Sequence, residues 1–332
     1  MSEVQLSKVA IVGAGAIGGW IGVHLAQAGA QLSVLARGET LAALQRDGLR
    51  LHKGGECLHT AVTASNEASA LGVQDLVVVS VKAPALATVA QQMGPLIGPH
   101  TVVLTAMNGV PWWFLQGFGG AVADRALQSV DPQGDIARAL PATAIMGCVV
   151  HASCSVDAPG VVRHHFGDGL IIGEPSGQAT PRAQALLALL QKAGFNATLS
   201  AQIQKDIWYK LWGNMTVNPV SALTGATTDR ILDDELVRGF ISGVMLEARS
   251  IGERIGIPIA QAPDDRHSVT RKLGAFRTSM LQDVDAGRPV ELDALVSAVR
   301  ELGQLTGVAT PLTDALLGLS RLQARVRGLY PL

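Results

Sequence analysis

Few short sequences restrict a fold as tightly as an apolar, β-branched run that stops at Gly-x-Gly-x-x-Gly and resumes as a helix. Here Lys8-Val-Ala-Ile-Val12 reads as a buried strand, and Gly13-Ala-Gly15-Ala16-Ile17-Gly18 follows at once. Residues 16–28 then carry a helical pattern that ends beside Gly29, a suitable C-cap. Leu32-Ser-Val-Leu35 reads as a second strand and completes a βαβ unit. In such a loop the first glycine allows a tight turn, the second lets backbone approach a pyrophosphate, and the third lets helix and strand pack closely. The helix start offers free N–H groups and a partial positive charge to phosphate. Gly13, Gly15, Ala16, Ile17 and Gly18 are therefore candidate dinucleotide-binding residues. The blander reading is a glycine turn that only packs a helix on a sheet.

Further short apolar runs at 75–80, 101–105 and 144–150 read as strands, and 160–174 as a hairpin. Continuous apolar strands that alternate with helical segments imply a mostly parallel sheet covered on both faces. Beyond about Ile203 the pattern turns helical, with amphipathic stretches at 234–255, 265–283, 291–307 and 310–327. The last opens with Thr310-Pro311, an N-cap followed by proline at the first helical position. The expected architecture is an α/β Rossmann dinucleotide-binding domain over residues 1–200 and an all-α domain over residues 201–332.

Composition narrows the functional classes. Of 332 residues only 16% are charged, against about 25% in ordinary globular chains, so much of the chain must be buried. With 26 basic and 27 acidic residues the net charge is -1, and the basic surplus of a nucleic-acid binder is missing. No charged residue falls between Lys8 and Arg37 or between Lys82 and Asp124, and both gaps exceed the roughly 20 residues of a membrane span. Glycines at 13, 15, 18, 19, 22 and 29 interrupt the first, and Pro84, Pro95, Pro99 and Pro111 the second. Buried strands and helices joined by turns account for both better than a lipid-facing helix does. Cys57, Cys148 and Cys154 form no CxxC pair, which suggests neither a disulfide framework nor a metal site. A reducing cytoplasm is the expected compartment.

Three polar features carry chemistry. An NAD-preferring loop ends its second strand with an acid, whereas here Val34-Leu-Ala-Arg37 ends with arginine and Glu39 is the nearest acid. A guanidinium there suits a 2′-phosphate, which favours NADP(H) over NAD; a solvated surface arginine is the alternative. Next, Lys210, Asn214 and Asn218 recur every fourth residue in an otherwise apolar helix, Trp208-Tyr-Lys210-Leu-Trp-Gly-Asn214-Met-Thr-Val-Asn218. Each step drifts only about 40°, so all three share one face and could present donors and one titratable proton to a carbonyl. A lysine that snorkels beside capping asparagines fits the spacing equally well. Third, Ser279-Met-Leu-Gln-Asp283 leads to Gly287-Arg288-Pro-Val-Glu291. Ser279 could donate to a carboxylate and Glu291 could orient a hydroxyl, although acids are favoured at a helix start in any case.

In this order the pieces resemble the ketopantoate reductases (2-dehydropantoate 2-reductases) over nearly the whole chain. The shared pattern comprises the glycine loop, Lys82 after the fourth strand, Asn108-Gly109 after the fifth, Trp208-Tyr-Lys210-Leu211 with Asn214 and Asn218, Ser279-Met280 with Asp283, and Gly287-Arg288 with Glu291. The resemblance implies a helical domain like that of 6-phosphogluconate dehydrogenase and NADPH-dependent reduction of a small 2-keto acid, ketopantoate first. It also implies that Lys210 is the general acid and that Asn214 and Asn218 bond the substrate. Ser279 would take the substrate carboxylate and Glu291 its distal hydroxyl. Asn108 and Lys82 would lie near both cofactor and substrate, Glu291 would also border the cofactor, and Arg37 would hold the 2′-phosphate.

One stretch departs from the pattern. Trp112-Trp113-Phe114 and Phe118 put four aromatic residues into seven positions of a chain that is 4% aromatic. Packing, a cleft reshaped for a different 2-keto acid, and a homodimer interface are all compatible with it. Two other functions remain: a β-hydroxyacid dehydrogenase, whose glycine-rich substrate loop is not found, and a non-catalytic NADP(H) sensor, for which the intact lysine–asparagine set is unexpected.

Overall fold

The computed structural model describes residues 5–332, which form two compact units: residues 5–107 with Gly134–Ile203, and Asn108–Gln133 with Gln204–Leu332. The segment Asn108–Gln133 thus clusters with the later residues although it lies within the first 200 by sequence.

The first unit is built on β1 (Lys8–Val12), α1 (Ala16–Gln27), β2 (Gln31–Leu35), α2 (Gly38–Asp47), β3 (Leu49–Lys53), β4 (Glu56–Thr60), β5 (Thr63–Ser65) and α3 (Ala68–Leu71). It continues with β6 (Leu76–Val79), α4 (Ala83–Gln92), β7 (Val102–Thr105), α5 (Asp135–Ala139), β8 (Ile145–Ala158), β9 (Val161–Gly173), α6 (Pro181–Lys192) and β10 (Asn196–Leu199). The strands form one sheet in the order β4-β3-β9-β8-β7-β6-β1-β2-β5, and β10 also pairs with β9. From β5 to β8 all neighbours are parallel, and the central β1, β6 and β7 are almost completely buried. Such strands bury both faces, which is why they read as unbroken apolar runs.

Residues 160–174 are not a hairpin by themselves: β9 is one long arm and β8, extending well past Val150, is the other. The antiparallel β3–β4 hairpin was not anticipated, although Gly54-Gly55 marks it. Both glycines take positive φ, +59° and +88°, between the paired Lys53 and Glu56, as a two-residue hairpin turn requires.

The second unit is helical: α7 (Ile203–Thr224), α8 (Thr228–Asp233), α9 (Glu235–Arg254), α10 (Pro263–Arg271), α11 (Ser279–Asp285), a π-helical turn at Asp293–Ser297, α12 (Ala298–Thr306) and α13 (Pro311–Val326). α7 is buried nearly all round, with Trp208, Leu211, Trp212 and Met215 inside. The Trp212 Nε1 donates to Met245 O of α9 at 2.6 Å. The stretch 265–283 is two helices rather than one, because the chain turns at Gly274 (φ +62°) and Thr278 caps α11 by accepting from Leu281 N. No helix among the described residues is long and apolar enough to cross a membrane.

Candidate active site

In the first unit the chain leaves β1 between two parallel neighbours, since Val12 is in register with Leu35 of β2 and with Val79 of β6. The strand order runs outward from β1 in both directions, so the crevice beyond the carboxyl ends of β1 and β6 is the topological switch point of an open α/β sheet. The three loop glycines occupy it with different constraints. Gly13 has φ +95°, and a Cβ there would sit 2.8 Å from Val81 N. A Cβ on Gly18 would strike Gly13 O and Ser80 Oγ, the pair that Ser80 joins by donating to Gly13 O at 2.8 Å. Gly15 differs, because nothing lies within 4 Å of its Cβ position. It is also the N-cap residue of α1, whose first turn has no side-chain cap and no acid. An uncapped helix start behind an open glycine fits the phosphates of a dinucleotide.

Arg37 follows β2 as the exposed N-cap residue of α2; its carbonyl accepts from Leu41 N at 3.3 Å, and its guanidinium has no hydrogen bond or ion pair among the described residues. Glu39 lies exposed in the same first turn. Lys82 follows β6 as the exposed N-cap residue of α4.

In the second unit Lys210, Asn214 and Asn218 lie along α7, the first two half-buried and Asn218 only 8% exposed. The Lys210 Nζ donates to Asn108 Oδ1 at 2.8 Å. Neither the Asn214 nor the Asn218 amide has a hydrogen-bond partner among the described residues. Two open amides on a helix that is otherwise buried are available to a ligand. Asn218 stands directly before Pro219, which has no N–H to give to the carbonyl of Met215.

The neighbourhood of Asn108 ties this stripe to Glu291. Val110 N donates to Ala294 O at 2.8 Å. Gly109 has φ +86°, and a Cβ on it would lie 2.6 Å from both Ala294 Cβ and Ala294 O. Only glycine fits, so the Asn108-Gly109 pair sets how closely this loop can dock on the π turn that begins two residues after Glu291. Glu291 itself is half-buried. The third motif supplies its support rather than more reactive groups: Asp283, 3% exposed, pairs with Arg288 Nε at 3.0 Å, and Arg288 N donates to Asp283 O at 2.8 Å. This brace fixes the approach to Glu291. Ser279 stands exposed at the start of α11 and makes no hydrogen bond to another candidate residue among the described residues.

The aromatic stretch is interior. Trp112, Trp113 and Phe114 are at most 7% exposed, and the Phe114 ring lies 6.0 Å from that of Trp208. Burial of this extent favours packing over a homodimer interface at Trp112, Trp113 and Phe114. The π turn was not foreseen, because 291–307 keeps helical periodicity through it; no signal in the sequence marks the widened turn.

Residues 9–177 match the family described as ketopantoate reductase PanE/ApbA, and residues 202–324 match its C-terminal part. A 2-dehydropantoate 2-reductase of Mesorhizobium japonicum is 45% identical over 97% of this chain and 99% of its own. A crystal structure from Ralstonia solanacearum MolK2, described as that of a candidate ketopantoate reductase, is 56% identical with a TM-score of 0.95 and covers 98% of this chain and 100% of its own. D-mandelate dehydrogenase, solved with NADH and anilino(oxo)acetate, shares the fold at 21% identity, with a TM-score of 0.83 over 97% of this chain and 99% of its own.

Proposed function

The chain belongs to the ketopantoate reductase PanE/ApbA family, and on that footing we propose that it reduces 2-dehydropantoate to pantoate with NADPH, as a cytoplasmic step of pantothenate biosynthesis. The observation that carries the reading is the 2.8 Å bond from Lys210 Nζ to Asn108 Oδ1, on a helix face whose Asn214 and Asn218 amides have no partner among the described residues.

The Gly13–Gly18 loop and Arg37 would hold a reduced nicotinamide dinucleotide, which would supply hydride for the ketone carbon. Lys210 gives a proton from Nζ to the ketone oxygen as negative charge develops there, which leaves a 2-hydroxy acid. The Asn108 carbonyl accepts one N–H of the ammonium and so fixes the direction of the other two. Asn214 and Asn218 bond the substrate from the next turns of α7, and Glu291 accepts from its distal hydroxyl. Ser279, exposed at the start of α11, donates to its carboxylate. The apolar bulk of α7 excludes water from the stripe and strengthens each of these bonds. Arg37, unpaired among the described residues and next in chain after β2, holds the 2′-phosphate that separates NADPH from NADH. Because Trp113 and Phe114 are interior, the aromatic stretch acts as packing and gives no reason to prefer an aryl substrate.

The test is the initial rate of NADPH consumption with ketopantoate beside pyruvate, 2-ketoisovalerate and an aryl 2-keto acid. Turnover of ketopantoate well above the others is expected. A faster rate on any other keto acid would keep the hydride chemistry and reassign the substrate.

A further inference from the structure

Glu291 and Asn108 are both held from a place far along the chain. On one side of Glu291, Val290 N donates to Leu329 O at 3.1 Å. On the other, the Tyr330 hydroxyl donates to Asp293 Oδ1 at 2.6 Å, an oxygen that also accepts from Ser297 Oγ at 3.0 Å. Asp293 and Ser297 are the first and last residues of the π turn, so this one carboxylate closes it. Single π turns recur at functional sites because the widened turn re-aims the groups around it. Here the turn's Ala294 O receives Val110 N, and Ala294 also abuts Gly109, next to Asn108. Asn108 then receives Lys210. The segment that bears Tyr330 is itself anchored: the Arg325 guanidinium lies 5.6 Å over the Tyr330 ring, and its Nε donates to Pro331 O at 2.8 Å.

We propose that Tyr330 is a positioning residue of the reductase site: through Asp293 and the π turn it sets both the Glu291 backbone and the Asn108 carbonyl that directs Lys210. The hydroxyl suits this task, since burial and the neighbouring Asp293 push its pKa up to about 12 and keep it a donor at any working pH. A phenol hydroxyl that donates to a carboxylate oxygen at this distance makes a bond of the stronger, charge-assisted kind. The inference rests on Lys210, Asn108 and Glu291 being the reactive set, and its test separates the two.

Tyr330→Phe removes one oxygen and keeps the ring, its stacking on Arg325 and the Leu329 bond. Loss of a bond to a charged group should lower kcat about ten-fold, with KM for NADPH changed less than about two-fold. Deuterium exchange at the Val110 amide, followed by mass spectrometry on a peptide that contains it, should accelerate because its acceptor Ala294 is no longer fixed. A combined Tyr330→Phe, Asp293→Ala chain should lose little more than Asp293→Ala alone, as expected for two members of one link. Unchanged kcat in Tyr330→Phe overturns the proposal, and so does a loss of kcat with Val110 exchange unaltered. The exchange readout needs no substrate, so it reports on the link even if Lys210→Ala shows that the lysine is not the acid.

Discussion

Gly15 and Gly18 belong to one motif, yet alanine at the two positions should act in opposite directions. At Gly15 the backbone is extended (φ -80°, ψ -158°), and a Cβ meets nothing within 4 Å. Alanine there restricts the unfolded chain without straining the folded one, a gain of about 0.4–1 kcal/mol. For a chain of this size that raises the melting temperature by roughly 1–3 °C. At Gly18 the new Cβ would fall onto Gly13 O and Ser80 Oγ, and would lie 3.0 Å from Ile11 Cγ2. The backbone oxygen of a tight turn cannot retreat, so α1 must lift from β1, at about 1–3 kcal/mol for overpacking. Disturbing the Ser80 to Gly13 bond adds about 1 kcal/mol. The expected loss is therefore about 2–4 kcal/mol.

Cofactor affinity distinguishes the sites again. If the open side of Gly15 is where phosphate approaches, its methyl group intrudes on the ligand instead of the protein. A cost of about 1–3 kcal/mol weakens NADPH roughly 5- to 150-fold. Scanning calorimetry without cofactor reads the first effect, and a titration of NADPH fluorescence reads the second. A Gly15→Ala chain that melts slightly higher and binds NADPH as before would refute the argument, since the loop would then be no more than a packing turn.

Other substitutions test other parts of the reading. Lys210→Ala should cut kcat by about 10²–10⁴ in steady-state assays while NADPH still binds, and near-normal turnover would remove the lysine from the mechanism. Arg37→Ala should weaken NADPH by about ten-fold and leave NADH nearly untouched in paired titrations; equal losses would show that the guanidinium does not read the phosphate. Arg182→Ala leaves Glu174, 3% exposed and bonded at 2.7 Å to Arg182 Nε, with the Thr180 hydroxyl as its remaining donor, so unfolding in denaturant should be easier by about 3 kcal/mol. Burial, with Lys53 close to one of them, holds the imidazoles of His24 and His267 below their ordinary 6.5. The unfolded chain then binds more protons below that pH, so stability should fall as pH drops through about 6.5. Melting curves at about pH 7.5 and about pH 5.5 check the sign, and the difference should shrink in His267→Gln.

Much of the fold was legible wherever a local period or a backbone exception decides the outcome. Parallel strands buried on both faces must be apolar throughout, and β1, β2, β6 and β7 were found on that ground within a residue or two of their ends. Gly13 and Gly18 were legible because each is forced by a different neighbour, whereas no protein atom demands the glycine at position 15. Gly54-Gly55 carries an equally plain signal for the β3–β4 hairpin, with His52, Lys53 and Glu56 around it polar, as suits a solvated turn. Helix ends were less clear, since the period of 265–283 continues across a loop held from outside: Thr228 Oγ1 donates to Gly274 O at 2.6 Å.

What the sequence did not reveal is the set of bonds that turns candidate residues into a site. Lys210 meets Asn108 across 102 positions, and Tyr330 meets Asp293 across 37. Neither spacing has a period, so neither leaves a trace in one sequence. The residues concerned are also ambiguous one by one: an asparagine before glycine reads as a turn, and an acid near a helix start reads as a favourable charge. Their second function appears only when the chain returns to them. Gly109 shows why such a meeting is specific. Its positive φ alone would admit asparagine, but the 2.6 Å approach to Ala294 excludes any Cβ, so turn chemistry and tertiary docking demand the same residue for independent reasons. A position fixed twice in this way transmits displacement instead of absorbing it, and a bond as distant as that of Tyr330 can therefore bear on where Lys210 points.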